Sequence, residues 1–182
     1  MTFPEVMSDY ETTSTDPSHG AIIQISAVRF NLEHREVDPV MFDQCLLMPG
    51  NRFWSEDTRD WWMAECPEVL DAIWPRMRDP LQVLSEFRQW VMRDLEGDSP
   101  VMWAKPIHFE FPFLQSYFRQ YGLAMPFHYS EAQDLRSWCR ALGHPNLDRE
   151  IPFEGIKHNA LHDTLHQVQT LFTLLERNDE PS

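Results

Sequence analysis

Apolar positions along the chain change period several times, and those changes divide it into strands and helices. Ala21 to Phe30 begins β-branched and then alternates, the pattern of a strand. Glu33 to Arg35 reads as a turn. Val37 to Met48 reads as a return strand, and Pro39, which cannot donate to a ladder, places it near a sheet edge. Ahead of these, Glu5 to Asp9 fits a short first strand ending on an acid, so the simplest arrangement is a three-stranded antiparallel meander. Downstream, Thr58 to Ala64 and Pro67 to Trp74 predict two short helices, the second opened by its proline. Asp79-Pro80 supplies a cap and first-turn proline for a longer helix, with Leu81, Leu84, Phe87, Val91 and Leu95 at helical spacing and Gly97 as its stop. Val101 to Ala104 is a short buried strand. Phe109 to Tyr121 predicts a helix with Pro112 in its first turn and Gly122 at its end. Phe127 to Asp134 is a further strand, followed by a helix to about Leu142. A last helix runs from near Asn159 to Glu176 on a stripe of Leu161, Leu165, Val168, Phe172 and Leu175. This order predicts an α/β fold, a mixed sheet with helices on its faces. No repeat or long linker divides the chain, so residues 1–177 are expected to form one domain and 178–182 a frayed tail.

Composition narrows the class. With 42% hydrophobic and 13% aromatic residues, the 182-residue chain can bury a core, despite a mean hydropathy of −0.47. No stretch approaches the roughly 20 apolar residues that span a bilayer, and Pro4 and Glu5 interrupt any signal-peptide pattern. Cys45, Cys66 and Cys139 are scattered and odd in number, which fits a reducing cytoplasm. The net charge of −14 has the wrong sign for a protein that wraps duplex by neutralising phosphates. Most of the acids are then solvated surface, while a few could hold divalent cations that supply the positive charge a phosphate needs.

Three segments carry candidate chemistry. In Asp9-Tyr10-Glu11-Thr12 the two acids lie two apart in an extended strand and project to one face, a place for Mg²⁺ or Mn²⁺ or simply a solvated strand end. In His158-Asn159-Ala160-Leu161-His162-Asp163, Asp163 lies opposite the leucine stripe and His158 sits in the loop before the helix. There an imidazole can act as a general base or remain a surface histidine. In Trp103 to Leu114 a strand leads through a short loop into a helix carrying Glu110. Its Phe109 and Phe113 are core residues or platforms for a base.

Together these segments resemble the DEDDh 3′–5′ exonucleases of the ribonuclease H-like superfamily. The matching motifs are D-x-E on the first strand, F-D-x-x-F-L in a strand-to-helix segment, and H-x-A-x-x-D at the last helix. Here they stand in order as Asp9 to Thr12, Phe109 to Leu114 and His158 to Asp163. Thr58-Arg59-Asp60-Trp61-Trp62 with Pro67-Glu68 resembles the T-x-x-W-W segment of phage exonucleases and related bacterial exoribonucleases. Asp134-Leu135-Arg136-Ser137 resembles the D-x-R-T/S element of the same group.

The resemblance implies a ribonuclease H-like mixed sheet, a three-strand antiparallel meander plus parallel strands, flanked by helices. It implies two Mg²⁺ or Mn²⁺ ions held by Asp9, Glu11, Glu110 and Asp163, with His158 activating the water that attacks the terminal phosphodiester. Thr12, Trp62 and Phe113 would meet the substrate, with Trp61 bordering the groove beside Trp62. The substrate would be a single-stranded DNA or RNA 3′ end or a short oligonucleotide, released as nucleoside 5′-monophosphates. The setting would be cytoplasmic, the host cytoplasm if the chain is phage-encoded, and a homo-oligomer is compatible with the pattern. Glu110 stands where the family has Asp. One more methylene moves a carboxylate by about 1.5 Å, and a misplacement of about 1 Å can cost on the order of 100-fold in rate. The alternative expectation is therefore a weakened or inactive member that binds nucleic acid or a protein partner.

Overall fold

In the computed structural model, which describes residues 1–95 and 97–179, one mixed sheet organises the chain. Its strands are β1 (Glu5–Thr12), β2 (Ile22–Asn31), β3 (Glu36–Val37), β4 (Phe42–Leu46), β5 (Met77–Arg78), β6 (Val101–Ala104) and β7 (Ala132–Asp134). The order is β5-β4-β2-β1-β6-β7, with β3 beside β2. β2 pairs antiparallel with β1 and β4, which is the expected meander. β6 then adds parallel to β1, β7 parallel to β6, and β5 parallel to β4.

The helices are α1 (Glu56–Glu65), α2 (Pro67–Ile73), α3 (Pro80–Val91), α4 (Ile107–Gln120), α5 (Leu135–Ala141), α6 (Leu147–Glu150) and α7 (Ala160–Asp179). Alternation along β1 sends Val6 and Tyr10 into a core with α3 and α4, where Leu84, Phe87, Phe113 and Tyr117 pack. It sends Met7 to the other face, where Trp103, Leu135, Leu147, Val168, Leu171 and Leu174 pack. A smaller cluster of Ile23, Cys45, Trp62, Leu70 and Ile73 seats α1 and α2.

Several expectations shift on contact with tertiary structure. The return strand is broken, not continuous: Asp38 turns inward to pair with the buried Arg29 and with Arg93, and only Phe42–Leu46 resumes the ladder. β5 takes the outer position beyond β4. The strand expected from Phe127 shrinks to Ala132–Asp134 behind a 3-10 turn at Tyr129–Glu131. α3 stops at Val91, and Leu81 is exposed because Val83, Leu84, Phe87 and Trp90 take the core face. Pro112 lies inside α4, beyond its first turn, because the helix begins at Ile107. On α7 the buried positions are Ala160, Thr164, Gln167, Val168, Thr170, Leu171 and Leu174; of the expected stripe only Val168 is among them, and Leu161, Leu165, Phe172 and Leu175 flank them partly buried. α7 continues to Asp179, past the expected end, and positions 180–182 of the expected tail lie outside the described residues. α6 had no sequence expectation. Among the described residues no helix is long and apolar enough to cross a membrane.

Candidate active site

The carboxy ends of β1 and β6 lie side by side because these strands are parallel neighbours, and the site forms there. Asp9 and Glu11 share the parity of Met7, so their carboxylates face α7 and not the α3–α4 core. α7 begins at this end. Asn159 caps it, its Oδ1 accepting from the His162 backbone N–H at 3.3 Å. Asp163 follows in the first turn. Residues more than 150 positions apart are thereby brought together: one oxygen each of Asp9, Glu11 and Asp163 lies within 4.8 Å of the others.

The fourth expected acid stands differently. Glu110 is 3% exposed in the first turn of α4 and lies outside that group of three. Its Oε2 is buried without a hydrogen-bond partner. A buried carboxylate oxygen left unpaired is costly, and a cation is the natural partner for it.

Electrostatics agree with a site built around positive charge. Burial, then the charge of Asp163, pushes Asp9 up to about 7, against the pull of the Gln167 hydrogen bond and of Lys105. Burial and the neighbouring charges of Asp9, Asp163 and Glu110 hold Glu11 well above the usual carboxylate range. Glu110 is raised likewise by burial and by Asp9. Asp163 is raised by burial, with His158 opposing. Three or four carboxylates resisting ionisation together fit a divalent metal, which would remove both the repulsion and the desolvation cost.

A cleft of about 640 Å³ opens onto these acids, lined also by Lys105, Arg136, Arg149, Lys157, His158 and His166. Both lysines of the chain are in it. Lys105 pairs with Asp148 at 2.5 Å, while Arg136, Arg149 and Lys157 have no carboxylate within 4 Å among the described residues. A second hollow on the other side of Glu11 is lined by Tyr10, Thr12, Thr58, Trp61, Trp62 and Phe109. His158 sits at left-handed φ (+61°), an unusual conformation for a residue with a side chain. Its ring meets that of Trp61 edge-to-face at 4.9 Å.

Of the expected residues, Asp9, Glu11, Asp163 and His158 meet at the cleft, and Thr12 lies at the second hollow with its hydroxyl donating to the Ser14 carbonyl at 2.9 Å. Two expected substrate contacts are corrected. Phe113 is fully buried in the core, and Phe109, packed on it at 4.9 Å, is the phenylalanine at the hollow. Trp62 is 2% exposed with its indole N–H donating to the Thr12 carbonyl at 3.1 Å, so it is a wall, and Trp61, 41% exposed, is the accessible ring. Sequence reasoning missed Gln167, which donates to Asp9 Oδ1 at 2.8 Å. Its spacing of four from Asp163 was the available sign. It also left Asp134 without a task. Asp134 accepts from the Ile107 N–H at 2.9 Å and from the Ser137 N–H at 2.7 Å, fastening the start of α4, and so Glu110, to the start of α5.

A family model described as the 3′–5′ exoribonuclease Rv2179c-like domain matches residues 4–175. The chain belongs to this family. No curated protein sequence matches it. Among solved structures, this Rv2179c-like domain is similar to cell-death related nuclease 4 (CRN-4), with a TM-score of 0.70 at 16% identity over 96% of this chain and 64% of that one. It is similar to E. coli exonuclease I in complex with a dA16 oligonucleotide, with a TM-score of 0.70 at 13% identity over 95% of this chain and 41% of that one. S. pombe Pop2p in its Mg²⁺- and Mn²⁺-bound form gives 0.65 at 12% identity over 96% and 84%. The chain thus spans under two thirds of the first two. At these identities the likeness is one of fold, the ribonuclease H-like mixed sheet.

Proposed function

We propose that this domain removes nucleotides one at a time from the 3′ end of single-stranded RNA or DNA, or of short oligonucleotides, releasing nucleoside 5′-monophosphates. The observation that carries this reading is the convergence of Asp9, Glu11 and Asp163 within 4.8 Å at the floor of a cleft whose walls bear cations. Membership of a 3′–5′ exoribonuclease family supports it.

Asp9, Glu11 and Asp163, with Glu110 behind them, would hold two divalent cations. When bound, Mg²⁺ or Mn²⁺ supplies positive charge to the phosphodiester and acidifies the attacking water. Gln167 fixes one oxygen of Asp9, which lines the cleft. His158, mounted on the loop before α7, takes the proton of the attacking water. The water oxygen forms a bond to phosphorus as the bond to the 3′-oxygen of the preceding nucleotide breaks. That oxygen leaves and is protonated from solvent. Arg136, Arg149 and Lys157 lie where they can pair with phosphates of the strand, and Thr12 and Phe109 border the place for the terminal nucleoside.

Digestion of 5′-labelled single-stranded RNA and DNA with Mn²⁺, Mg²⁺ or EDTA tests this. A metal-dependent ladder shortening from the 3′ end, absent in Asp163→Ala, is expected, and the same experiment names the preferred sugar. No shortening of either strand in any metal would transfer the reading to a member that binds without turnover. Glu110, outside the group of three acids, is what favours that second reading.

A further inference from the structure

The pair Trp61-Trp62 does two different things, and their combination reaches the proposed base. Trp62 is buried, and its indole N–H bonds the carbonyl of Thr12, the residue after Glu11. α1 is thereby tied to the end of the strand that carries two of the acids. Ser55 fixes the start of the same helix, its Oγ accepting from the Thr58 N–H, while the Ser55 N–H bonds the Thr13 carbonyl at 2.9 Å. The neighbouring Trp61 then projects outward and meets the His158 imidazole edge-to-face at 4.9 Å.

His158 needs such a partner. Its loop is held in an uncommon conformation, with His158 at φ +61° and Gly155 at φ +108°. A side chain at Gly155 would collide with His162, whose Cγ would lie 2.6 Å from the new Cβ. The backbone of the loop is therefore packed down, but the His158 ring makes no hydrogen bond among the described residues, and Trp61 is its one aromatic contact. Residue 61 is joined to β1 through α1 and meets residue 158 by ring contact, so the imidazole is registered against the acid strand by an indole.

We infer that Trp61 is a positioning residue for His158: its indole, held in place by the Trp62–Thr12 anchor, sets where the imidazole stands over the acid cluster. This rests on the proposed exonuclease reading. The contact also explains why two adjacent tryptophans are useful on a short helix, one facing each way.

The test combines a contact readout with kinetics on the full chain. In the wild type, the His158 ring-proton resonances should be displaced by the indole ring current in two-dimensional NMR, with the displacement lost in Trp61→Ala and partly kept in Trp61→Phe. With labelled oligonucleotide and Mn²⁺, Trp61→Ala should lower kcat on the order of 10- to 100-fold with KM changed less than about 3-fold. Trp61→Phe should recover most of kcat. A KM rise with unchanged kcat would make Trp61 a platform for a nucleobase and overturn the inference, as would an unshifted His158 ring in the wild type. A wild type inactive on every strand and metal, with the ring shift present, would instead overturn the exonuclease reading, and the positioning role in catalysis with it.

Discussion

Asp9 is the residue at which charge, burial and neighbours collide most plainly. Its folded pKa is pushed from 3.8 up to about 7, first by burial and then by Asp163. An acid that holds its proton more tightly when folded makes the folded state lose stability as pH rises from its unfolded value through its folded one. Through Asp9 the cation-free protein should therefore lose stability as pH rises between about pH 4 and pH 7, while the gain from Mn²⁺ should grow through the same range. Thermal unfolding from pH 5 to 8.5, with and without Mn²⁺, reads both, with expected shifts on the order of several degrees. The same repulsion predicts that Asp163→Asn raises the cation-free melting temperature at pH 8 by about 2–4 °C, yet removes the Mn²⁺ gain and the activity. Glu110 gives a sharper contrast. If its buried, unpaired oxygen reaches a cation from its present backbone position, Glu110→Asp withdraws it by about 1.5 Å and should weaken both Mn²⁺ affinity and turnover about 10-fold or more. A gain in turnover would identify Glu110 as the cause of a weakened enzyme.

Elements place these residues, and two connections are exposed to single substitutions. The loop into α7 depends on Gly155, whose φ of +108° and closeness to His162 leave no room for a side chain. Gly155→Ala should cost about 1–3 kcal/mol and, by moving the loop that carries His158, reduce kcat more than it raises KM. Chemical denaturation and steady-state kinetics on the same sample would separate the two effects. On the far side of the sheet, the break in the return strand is a charge cluster. Arg29 is 2% exposed, and Asp38 pairs it to the end of the α3 segment through Arg93. Asp38→Ala strands a buried guanidinium and should destabilise the fold by about 3–5 kcal/mol in urea titrations, with little change in the metal response of the protein that remains folded.

Charge distribution belongs to the whole molecule. A chain of net charge −14 repels nucleic acid at long range, so attraction must be local, and both lysines are placed in the cleft with Arg136 and Arg149. With only about three cations free to meet phosphates, the slope of log(kcat/KM) against log salt should be shallow, near −2 for a single strand. Arg149→Glu with Lys157→Glu should flatten it further while leaving the Mn²⁺-induced stabilisation intact. The sequence by itself determined most of the order of elements, though not β5 or α6, together with the meander and the candidate set of Asp9, Glu11, Asp163 and His158 that the fold brings to one cleft, because period and short motifs are local properties. The strand alternation put Asp9 and Glu11 on one face, and the histidine-to-aspartate spacing put His158 and Asp163 at one helix start. Tertiary structure alone decided which face met which. It buried Phe113 and Trp62 while leaving Phe109 and Trp61 accessible, and it recruited Gln167 to Asp9. It broke the return strand at Asp38 and gathered cations from the turn after β6, from α5, from α6 and from the loop before α7 into one wall. Those choices depend on contacts between segments far apart in the chain, for which no local pattern carries a mark.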